Sequence, residues 1–229
     1  MINVVFAETA LELVPSEIQG SAQVAAEAKK RKKAPGAILL DANKHYAAMQ
    51  KLEKKEKRGR PDIAHDLLKY ALDSPLNKSG ALRVFMHAYG DFVLNVNSET
   101  RLPRSFNQFC GLMEDVWMKK TISAGGKTLL EVKKQSLDAL LKEIGVATIV
   151  FDPKGEAIGL RELVTKFEAL AGRDGKKDFC VVIGGFPHGD FDNADALADY
   201  KHVALAGGEL TAPAVLAQAL TCVQLALEK

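Results

Sequence analysis

FCVVIGGFPHG, residues Phe179 to Gly189, gives the clearest indication of the fold of this chain. Its first five residues form the most apolar predicted strand, and two adjacent glycines follow directly. In open α/β sheets ligands bind at the carboxyl ends of strands, and glycines let the backbone approach a ligand closely. Because the spacing is not GxGxxG, a dinucleotide site is not indicated. The stretch predicts a buried strand followed by a ligand-binding loop.

A second glycine loop, LAGGEL at 205–210, follows another predicted strand and precedes a helix. Two such loops without a phosphate-binding pattern suit a ligand held by backbone amides and carbonyls, such as an adenosine-containing cofactor. The same glycines are equally typical of two tight turns between a strand and a helix.

Strands and helices alternate in the second half of the chain, which predicts an α/β fold with a mostly parallel sheet flanked by helices. The first half opens on a β-branched strand and contains a hairpin. The predicted strands are 2–6, 37–40, 82–87, 91–96, 129–132, 148–151, 179–183 and 202–205. The predicted helices are 10–14, 18–28, 43–57, 62–72, 105–118, 137–144, 160–171 and 211–227, with a loop at 123–127.

The composition is that of an ordinary globular protein, with 229 residues, 47% of them hydrophobic and 26% charged, and a net charge of +2. Basic residues cluster in KKRKK at 29–33, interpreted as a solvated face, and in 51–60, which we expect to attract phosphates. Cys110, Cys180 and Cys222 have no close pairing, so neither a disulfide framework nor a zinc site is predicted. With no signal peptide or membrane-spanning stretch, we expect an intracellular, reducing compartment.

Several familiar site patterns fail. GGKT at 125–128 lacks the earlier glycine of a phosphate loop, because that position is Thr121. GxSxG is absent, and the five histidines have no metal-ligand spacing, so no metal is predicted. We interpret His87, on a predicted strand, as packed or hydrogen-bonded.

Two arginine–proline motifs remain. RGRPDIAH at 58–65 and ETRLPRSFNQF at 99–109 each set arginines around a proline just before a predicted helix. Proline favours an extended residue before it and a helix start after it. Cations near a helix N-terminus are unfavourable, which points to an anionic partner, and guanidinium groups suit phosphates and base edges. Solvated arginines are the alternative interpretation, and for Arg58 it is the favoured one.

Five motifs occur together in order: RGRPDIAH, LDSPLN, ETRLPRSFNQFCGLM, IGGFPHG and ALTC. The chain thereby resembles the SPOUT-class pseudouridine N1-methyltransferases of small-subunit ribosome biogenesis, over nearly its whole length and in an archaeal-type form. The resemblance implies one domain over 1–229, with a family-specific extension at about 41–100. It also implies a deep C-terminal trefoil knot around a cofactor-binding region at about 147–229, and a homodimer.

The resemblance also assigns site residues. The implied cofactor is S-adenosylmethionine, bound by Asp152, Gly184, Gly189, Leu205, Ala206, Gly207, Gly208, Glu209 and Leu210. The family usually has bulkier residues at Gly207 and Gly208. The implied RNA-binding residues are Arg60, Asp62 as an orienter of Arg60, Arg101, Arg104, and Gln108 where the family usually has arginine. No catalytic residue is assigned, because a carboxylate in the first turn of a helix, such as Asp62, makes a poor general base.

The function implied is methylation of N1 of a pseudouridine in a small-subunit rRNA hairpin loop, with ribosomal proteins or assembly factors as further partners and no membrane. Two alternatives stay open: an RNA-binding assembly factor whose methylation is secondary, and a methyltransferase acting on tRNA pseudouridine. The expected location is cytoplasmic for an archaeal-type protein and nucleolar for a eukaryotic one.

Overall fold

The computed structural model describes residues 1–172, 175–206 and 209–228. Its strands are β1 (Ile2–Thr9), β2 (Leu82–Ala88), β3 (Phe92–Val96), β4 (Thr121–Ala124), β5 (Lys127–Lys134), β6 (Ala147–Ile158), β7 (Phe179–Gly184) and β8 (Lys201–Leu205). Its helices are α1 (Ala22–Arg31), α2 (Ala42–Met49), α3 (Pro61–Asp73), α4 (Pro75–Lys78), α5 (Phe106–Lys119), α6 (Leu137–Ile144), α7 (Leu160–Ala171), α8 (Ala194–Leu197) and α9 (Ala212–Leu227).

The strands form one sheet in the order β4-β5-β3-β2-β1-β7-β6-β8. β2, β1, β7, β6 and β8 run parallel, so their carboxyl ends meet at one edge of the sheet. β3, β5 and β4 extend the sheet in antiparallel fashion. The predicted α/β class, with a mostly parallel sheet and flanking helices, is confirmed.

The core has two main layers because alternate residues of each strand point to opposite faces of the sheet. Val4 and Phe6 of β1 pack with apolar residues of α3, α5, α7 and α9. Val5 and Ala7 pack on the other face, against α6 and Leu197 of α8. A third, smaller apolar cluster lies beneath α1 and α2. No helix within the described ranges is long and apolar enough to cross a membrane.

Most predicted elements of the second half are confirmed, but β6 continues to Ile158 where the prediction ended at 151, and the short helix α8 was not predicted. Three predictions in the first half are wrong. Residues 10–14 are not helical and 37–40 are not a strand of the sheet. These two segments pair with each other instead: Val14 N–H donates to Ile38 O, and Leu40 N–H donates to Glu12 O. The helix predicted at 43–57 ends at Met49, because no apolar residue follows Leu52 in that segment to hold a further turn against the core.

Two boundaries also differ. The helix predicted at 18–28 begins later, as α1 at Ala22–Arg31. The loop predicted at 123–127 is partly a strand, because Thr121–Ala124 pairs with β5 around a turn at Gly125 and Gly126, both with positive φ. A short, exposed strand of this kind has no apolar alternation that would predict it.

The KKRKK segment is not simply a solvated face. Arg31 donates two hydrogen bonds to Glu114 of α5, at 2.5 and 2.6 Å, and Lys33 donates a third at 2.8 Å. Glu114 is fully buried and also accepts from Leu39 N–H at 3.0 Å. Two of the five basic residues therefore fasten this segment to α5, while Lys29, Lys30 and Lys32 are exposed.

Candidate cofactor cavity and RNA interface

A cavity of about 540 Å³ opens at the carboxyl ends of β7 and β8, beside the irregular middle part of β6. This volume lies in the range of small-molecule and cofactor sites. Three parts of the chain form its walls. They are residues 151–153 with Ala157 of β6, residues 183–184 and 186–191 at and after the end of β7, and residues 203–206, 209–210, 212 and 215 between β8 and α9. The cavity lies where a parallel sheet is expected to hold a ligand.

Seven of the residues predicted to bind the cofactor line this cavity: Asp152, Gly184, Gly189, Leu205, Ala206, Glu209 and Leu210. Gly207 and Gly208 lie outside the described residues. Sequence reasoning missed other members of the walls, among them Phe186, His188, Phe191, Ala212 and Val215. Phe186 and His188 belong to the GGFPHG motif, and this position in the sequence could have predicted that they line the cavity.

Asp152 is held in place within the first wall. Its Oδ2 lies 2.9 Å from His202 Nδ1 on β8, and its Oδ1 accepts from Lys154 N–H at 2.9 Å. The other ring nitrogen of His202 lies 3.0 Å from Leu197 O. Both ring nitrogens of His202 are therefore engaged, which fixes the orientation of the ring against Asp152. Asp152 thus presents a fixed carboxylate at the cavity.

Gly155 lets β6 pass close to β8 beside this wall. A Cβ at Gly155 would lie 2.5 Å from the backbone nitrogen of Val203. The register of β6 against β8 shifts here, between Phe151 and Glu156. The irregularity carries Asp152 and Pro153 out of the regular ladder and toward the cavity.

The two glycines after β7 have different roles. Gly184 lines the cavity, whereas a Cβ at Gly185 would lie 2.5 Å from Thr9 Oγ1. Gly185 N–H donates to Ala7 O at 2.7 Å, and Gly185 O accepts from Ala10 N–H at 3.0 Å. The second glycine therefore fastens the loop to the end of β1 rather than meeting a ligand.

Ala10 joins the two halves of the candidate site. Its N–H donates to Gly185 O, and its own carbonyl accepts from Arg60 N–H at 3.0 Å. The backbone of the RGRPD motif thus lies one residue away from the loop that forms a cavity wall.

Arg60 and Asp62 form a two-pronged ion pair at the start of α3. Arg60 Nε donates to Asp62 Oδ1 at 2.9 Å and Nη2 donates to Oδ2 at 2.7 Å. Partial burial acts to raise the pKa of Asp62, but the hydrogen bonds and charge of Arg60, with backbone N–H groups, outweigh it and lower that pKa. Asp62 is therefore ionised, and both of its oxygens accept hydrogen bonds from Arg60. This is the geometry expected of a residue that orients the Arg60 side chain. Arg60 itself, at φ −121° and ψ 63°, avoids the helical region but is less extended than the proline rule predicts.

Arg58 is not solvated, contrary to its interpretation from sequence. It is 5% exposed, and its Nε and Nη2 each donate to Glu12 at 2.7 Å. Its guanidinium lies 4.0 Å from the centre of the Tyr89 ring. Arg58 anchors the motif internally, while Arg60 projects its side chain to the surface.

The two arginine–proline motifs lie side by side. His65 of α3 is 3.0 Å from Pro103 O through Nε2, and its ring stacks on Phe109 of α5 with centroids 4.4 Å apart. Arg101, Arg104 and Gln108 are exposed next to this contact, and neither arginine has an ion-pair partner in the part of the chain that the structure describes. The structure thus brings the predicted RNA-binding residues onto adjoining elements.

The lysines at 51–57 are less available to phosphates than the sequence predicts. Lys54 pairs with Asp192 at 3.1 Å, and Lys57, with a side chain 10% exposed, pairs with Glu8 at 3.0 Å. Because these cations are already neutralised by carboxylates, the segment offers a weaker general attraction than its charge count suggests.

Comparisons with known proteins place this geometry in a family. The family model described as EMG1/NEP1 methyltransferase matches residues 4–224. A protein of Pyrobaculum calidifontis named ribosomal RNA small subunit methyltransferase Nep1 is 40% identical over 219 residues, covering 93% of this chain and 95% of its own. The protein of that name from Archaeoglobus fulgidus is 42% identical over 203 residues, covering 88% and 85%. The crystal structure of Archaeoglobus fulgidus Nep1 bound to S-adenosylhomocysteine is similar with a TM-score of 0.85 and 38% identity, covering 98% of this chain and 97% of that one.

Proposed function

The chain belongs to the EMG1/NEP1 methyltransferase family, and from this premise we propose that it methylates N1 of a pseudouridine in a hairpin loop of small-subunit rRNA. That it is an S-adenosylmethionine-dependent methyltransferase of small-subunit rRNA follows from its relatives and from the S-adenosylhomocysteine in the related structure. The nucleobase, the reacting atom and the residues that act are the proposal.

One observation carries the proposal: the backbone bridge at Ala10 between Gly185 of the cavity wall and Arg60 of the RNA motif. A methyl donor in the cavity and an RNA loop on the arginine surface would meet near Ala10, where the cavity wall and the RNA motif adjoin. Methyl transfer needs such proximity, since placing the reacting atoms in line supplies much of the rate acceleration.

The cavity suits S-adenosylmethionine. Its walls combine apolar side chains with the carboxylates of Asp152 and Glu209, which are acceptors suited to hydroxyl and amino groups and to a nearby cation. We assign Asp152, Gly184, Gly189, Glu209 and the stretch 205–210 to cofactor binding. When bound, S-adenosylmethionine supplies an electrophilic methyl group on a sulfonium centre.

The RNA surface comprises Arg60 braced by Asp62, with Arg101, Arg104 and Gln108 alongside. Exposed guanidinium groups without internal partners are free to bind phosphates or base edges. Gln108 can donate and accept hydrogen bonds but adds no charge. Base-specific recognition of RNA favours loops whose bases can be turned outward, and a reacting base has to reach the cavity.

Pseudouridine is the proposed target because its carbon–glycosidic bond leaves N1 free and protonated, whereas N1 of uridine is bonded to the sugar. The N1–methyl bond forms as the methyl–sulfur bond breaks, and the N1 proton leaves to solvent. Asp62 is unsuited to take that proton, since its lowered pKa makes it a weak base and both of its oxygens accept hydrogen bonds from Arg60. Arg60, or backbone N–H groups near Ala10, would stabilise negative charge that develops on the ring.

The deciding experiment is methyl transfer from labelled S-adenosylmethionine to an rRNA hairpin that carries one pseudouridine, with the same hairpin carrying uridine as control. We expect transfer to the first hairpin alone, with the label on N1 by mass spectrometry of the nucleoside. Equal labelling of the uridine hairpin would overturn the proposed atom.

A tRNA hairpin containing pseudouridine, offered in the same assay, separates the remaining enzyme alternative. Preference for the tRNA hairpin would assign the chain to tRNA. Calorimetry with S-adenosylmethionine separates the assembly-factor alternative, because a protein whose methylation is lost would bind RNA but show no heat of cofactor binding.

A further inference from the structure

Glu8 has an unusual backbone for its place in the fold. It lies in β1 near the carboxyl end with φ +53°, where the register of β1 against β2 shifts between Phe6 and Thr9. Four other described non-glycine residues have positive φ: Lys32 and Lys120 cap helices, Lys54 begins a 3₁₀ turn and Asp91 lies in the hairpin turn. Strained conformations inside regular elements tend to occur where a side chain has to be placed for function.

The Glu8 carboxylate is 8% exposed and fully engaged. Oε1 accepts from the backbone N–H of Asn193 at 2.7 Å and from its side-chain amide at 3.0 Å. Oε2 accepts from Asp192 N–H at 2.9 Å and from Lys57 Nζ at 3.0 Å. Three of these four donors belong to the segment that follows the GGFPHG loop.

Lys57 completes the cluster from the other side. Besides Glu8, its ammonium contacts Asp192 Oδ1 at 3.2 Å and the carbonyl oxygen of Asp190. It also lies 4.2 Å above the centre of the Phe186 ring, a cation–π contact. Phe186 in turn packs edge-on against Phe191 at 5.4 Å, and both rings line the cavity.

Glu8 and Lys57, which we call the clasp, therefore connect two functional segments. Lys57 precedes Arg60 by three residues, and Glu8 precedes Ala10 by two. Residues 186–191 form one cavity wall, and Asp192 and Asn193 follow directly after it. A buried ion pair contributes little net stability compared with an apolar pair of the same shape, but its directional bonds fix geometry.

We propose that Glu8 and Lys57 are positioning residues for methyl transfer: they set the cavity wall at 186–191, through Asp192 and Asn193 that follow it, against the segment that carries Arg60, and so couple cofactor binding to RNA binding. This inference rests on the proposed function. A shift of Lys57 when RNA engages Arg60 would move the Phe186 ring, so each ligand would favour the conformation that binds the other. Such coupling is reciprocal.

The test compares Glu8→Gln and Lys57→Met with the natural chain. Gln keeps the shape of Glu8 but loses its charge, and Met keeps an apolar stem over Phe186. Calorimetry measures the Kd for S-adenosylmethionine alone and in the presence of the pseudouridine hairpin. We expect the hairpin to tighten cofactor binding about 5-fold in the natural chain, and both variants to bind the cofactor about 10-fold more weakly and to lose that tightening.

Matched controls keep the result interpretable. Lys154→Met removes an exposed ion pair to Asp190 of the same loop, and we expect it to change the cofactor Kd less than about 2-fold. Asn193→Ala removes one donor to Glu8 without a change of charge and should produce a smaller effect of the same kind. Thermal unfolding and circular dichroism report whether each variant is folded. If Glu8→Gln does not fold, Asn193→Ala supplies the test instead.

Kinetics separate positioning from a purely structural role. We expect KM for S-adenosylmethionine to rise about 10-fold while kcat at saturating cofactor falls less than about 3-fold, since the clasp does not touch the reacting atoms. Folded variants with the cofactor affinity and RNA-linked tightening of the natural chain would overturn this inference alone. Absence of cofactor binding or methyl transfer in the natural chain would instead overturn the proposed function.

Discussion

Arg58 and Arg60 are separated by one glycine and have opposite environments. Arg58 is buried, where it donates hydrogen bonds to Glu12 and packs against the Tyr89 ring. Arg60 reaches the surface, where Asp62 accepts its hydrogen bonds. Gly59 allows the two arginine side chains to point in opposite directions, because its φ of +68° is favourable only for glycine. A Cβ at this position would also lie 2.9 Å from Met49 Cε. The motif thus contains an internal anchor and an external contact, and only the second is available to RNA.

Arg101 is the residue at which RNA binding can be tested apart from cofactor binding. Arg101→Ala should raise the Kd for the pseudouridine hairpin about 10-fold and lower the salt dependence of binding by about one ion, because one phosphate contact is lost. The Kd for S-adenosylmethionine should not change. Filter binding over a salt series and calorimetry provide the two measurements.

Arg83→Ala is the matched control for Arg101→Ala. Arg83 is also exposed, but it lies at the amino end of β2, away from the edge of the sheet that holds the cavity. It should bind the hairpin like the natural chain. A loss of cofactor affinity in Arg101→Ala would show that this arginine belongs to the cavity instead.

At the scale of elements, the site depends on how β6 leaves the sheet and on how α3 meets α5. The irregularity between Phe151 and Glu156 brings Asp152 to the cavity, and His65 holds the two arginine-bearing segments together. Both features place exposed functional groups by means of buried backbone contacts. Their disruption should therefore affect function and folding together.

Gly155→Ala tests the close passage of β6 and β8. The added methyl group would lie 2.5 Å from Val203 N, a backbone atom that cannot move aside as a side chain can. We expect a loss of about 1–3 kcal/mol in the free energy of unfolding, toward the upper end of that range, since overpacking forces the backbone apart. Urea unfolding followed by circular dichroism measures it.

Gly159→Ala provides the comparison. Gly159 precedes α7 at φ −83°, and a Cβ there would meet nothing within 4 Å. We expect a change of less than about 1 kcal/mol. If both variants lost the same free energy of unfolding, the close approach of Gly155 to Val203 would not be what requires glycine at position 155.

At the scale of the whole molecule, pH should act on stability through two buried histidines. Burial lowers the pKa of His45, and it lowers that of His87 although Asp91 opposes it. Nδ1 of each ring accepts a backbone N–H, from Asp41 at 3.1 Å and from Glu8 at 3.3 Å. Both rings are therefore favoured in the neutral form in the folded state.

The sign of the pH effect follows from that. The unfolded chain takes up these protons at a pKa of about 6.5, and the folded chain only at lower pH, so stability falls as pH decreases below about 6.5. Urea unfolding between pH 7.5 and 5 measures the slope, in a window chosen around that reference value. The double variant His45→Gln, His87→Gln should have a flatter slope, and an unchanged slope would assign the effect to other groups.

The chain should form a homodimer, as its family resemblance implies. Leu160 of α7 and Leu225 of α9 are large apolar side chains that are 48% and 52% exposed. Analytical ultracentrifugation should give about twice the chain mass of 24.8 kDa. Leu225→Glu should shift the population to monomer, whereas Met118→Glu, on exposed α5 surface, should not.

Most of the second half of the fold could be predicted from sequence because its determinants are local. Residues 137–144 and 160–171 carry apolar side chains at helical spacing and form α6 and α7 with the predicted bounds. The apolar run at 179–183 forms β7, and Gly184, the first of the two glycines that follow this run, lines the cavity. The first half was harder, because 10–14 and 38–40 obtain their hydrogen bonds from each other rather than within themselves.

The α/β class, the loops after two strands and the two arginine motifs could be predicted from the residues alone, since periodicity, glycine pairs and proline act over a few neighbouring residues. The folded chain was needed to show which arginine is buried, that Ala10 bridges Gly185 and Arg60, and that Glu8 contacts Lys57 and Asn193. These contacts join residues up to 185 positions apart. Their formation depends on burial and on which strands lie side by side, which no short stretch of the chain contains.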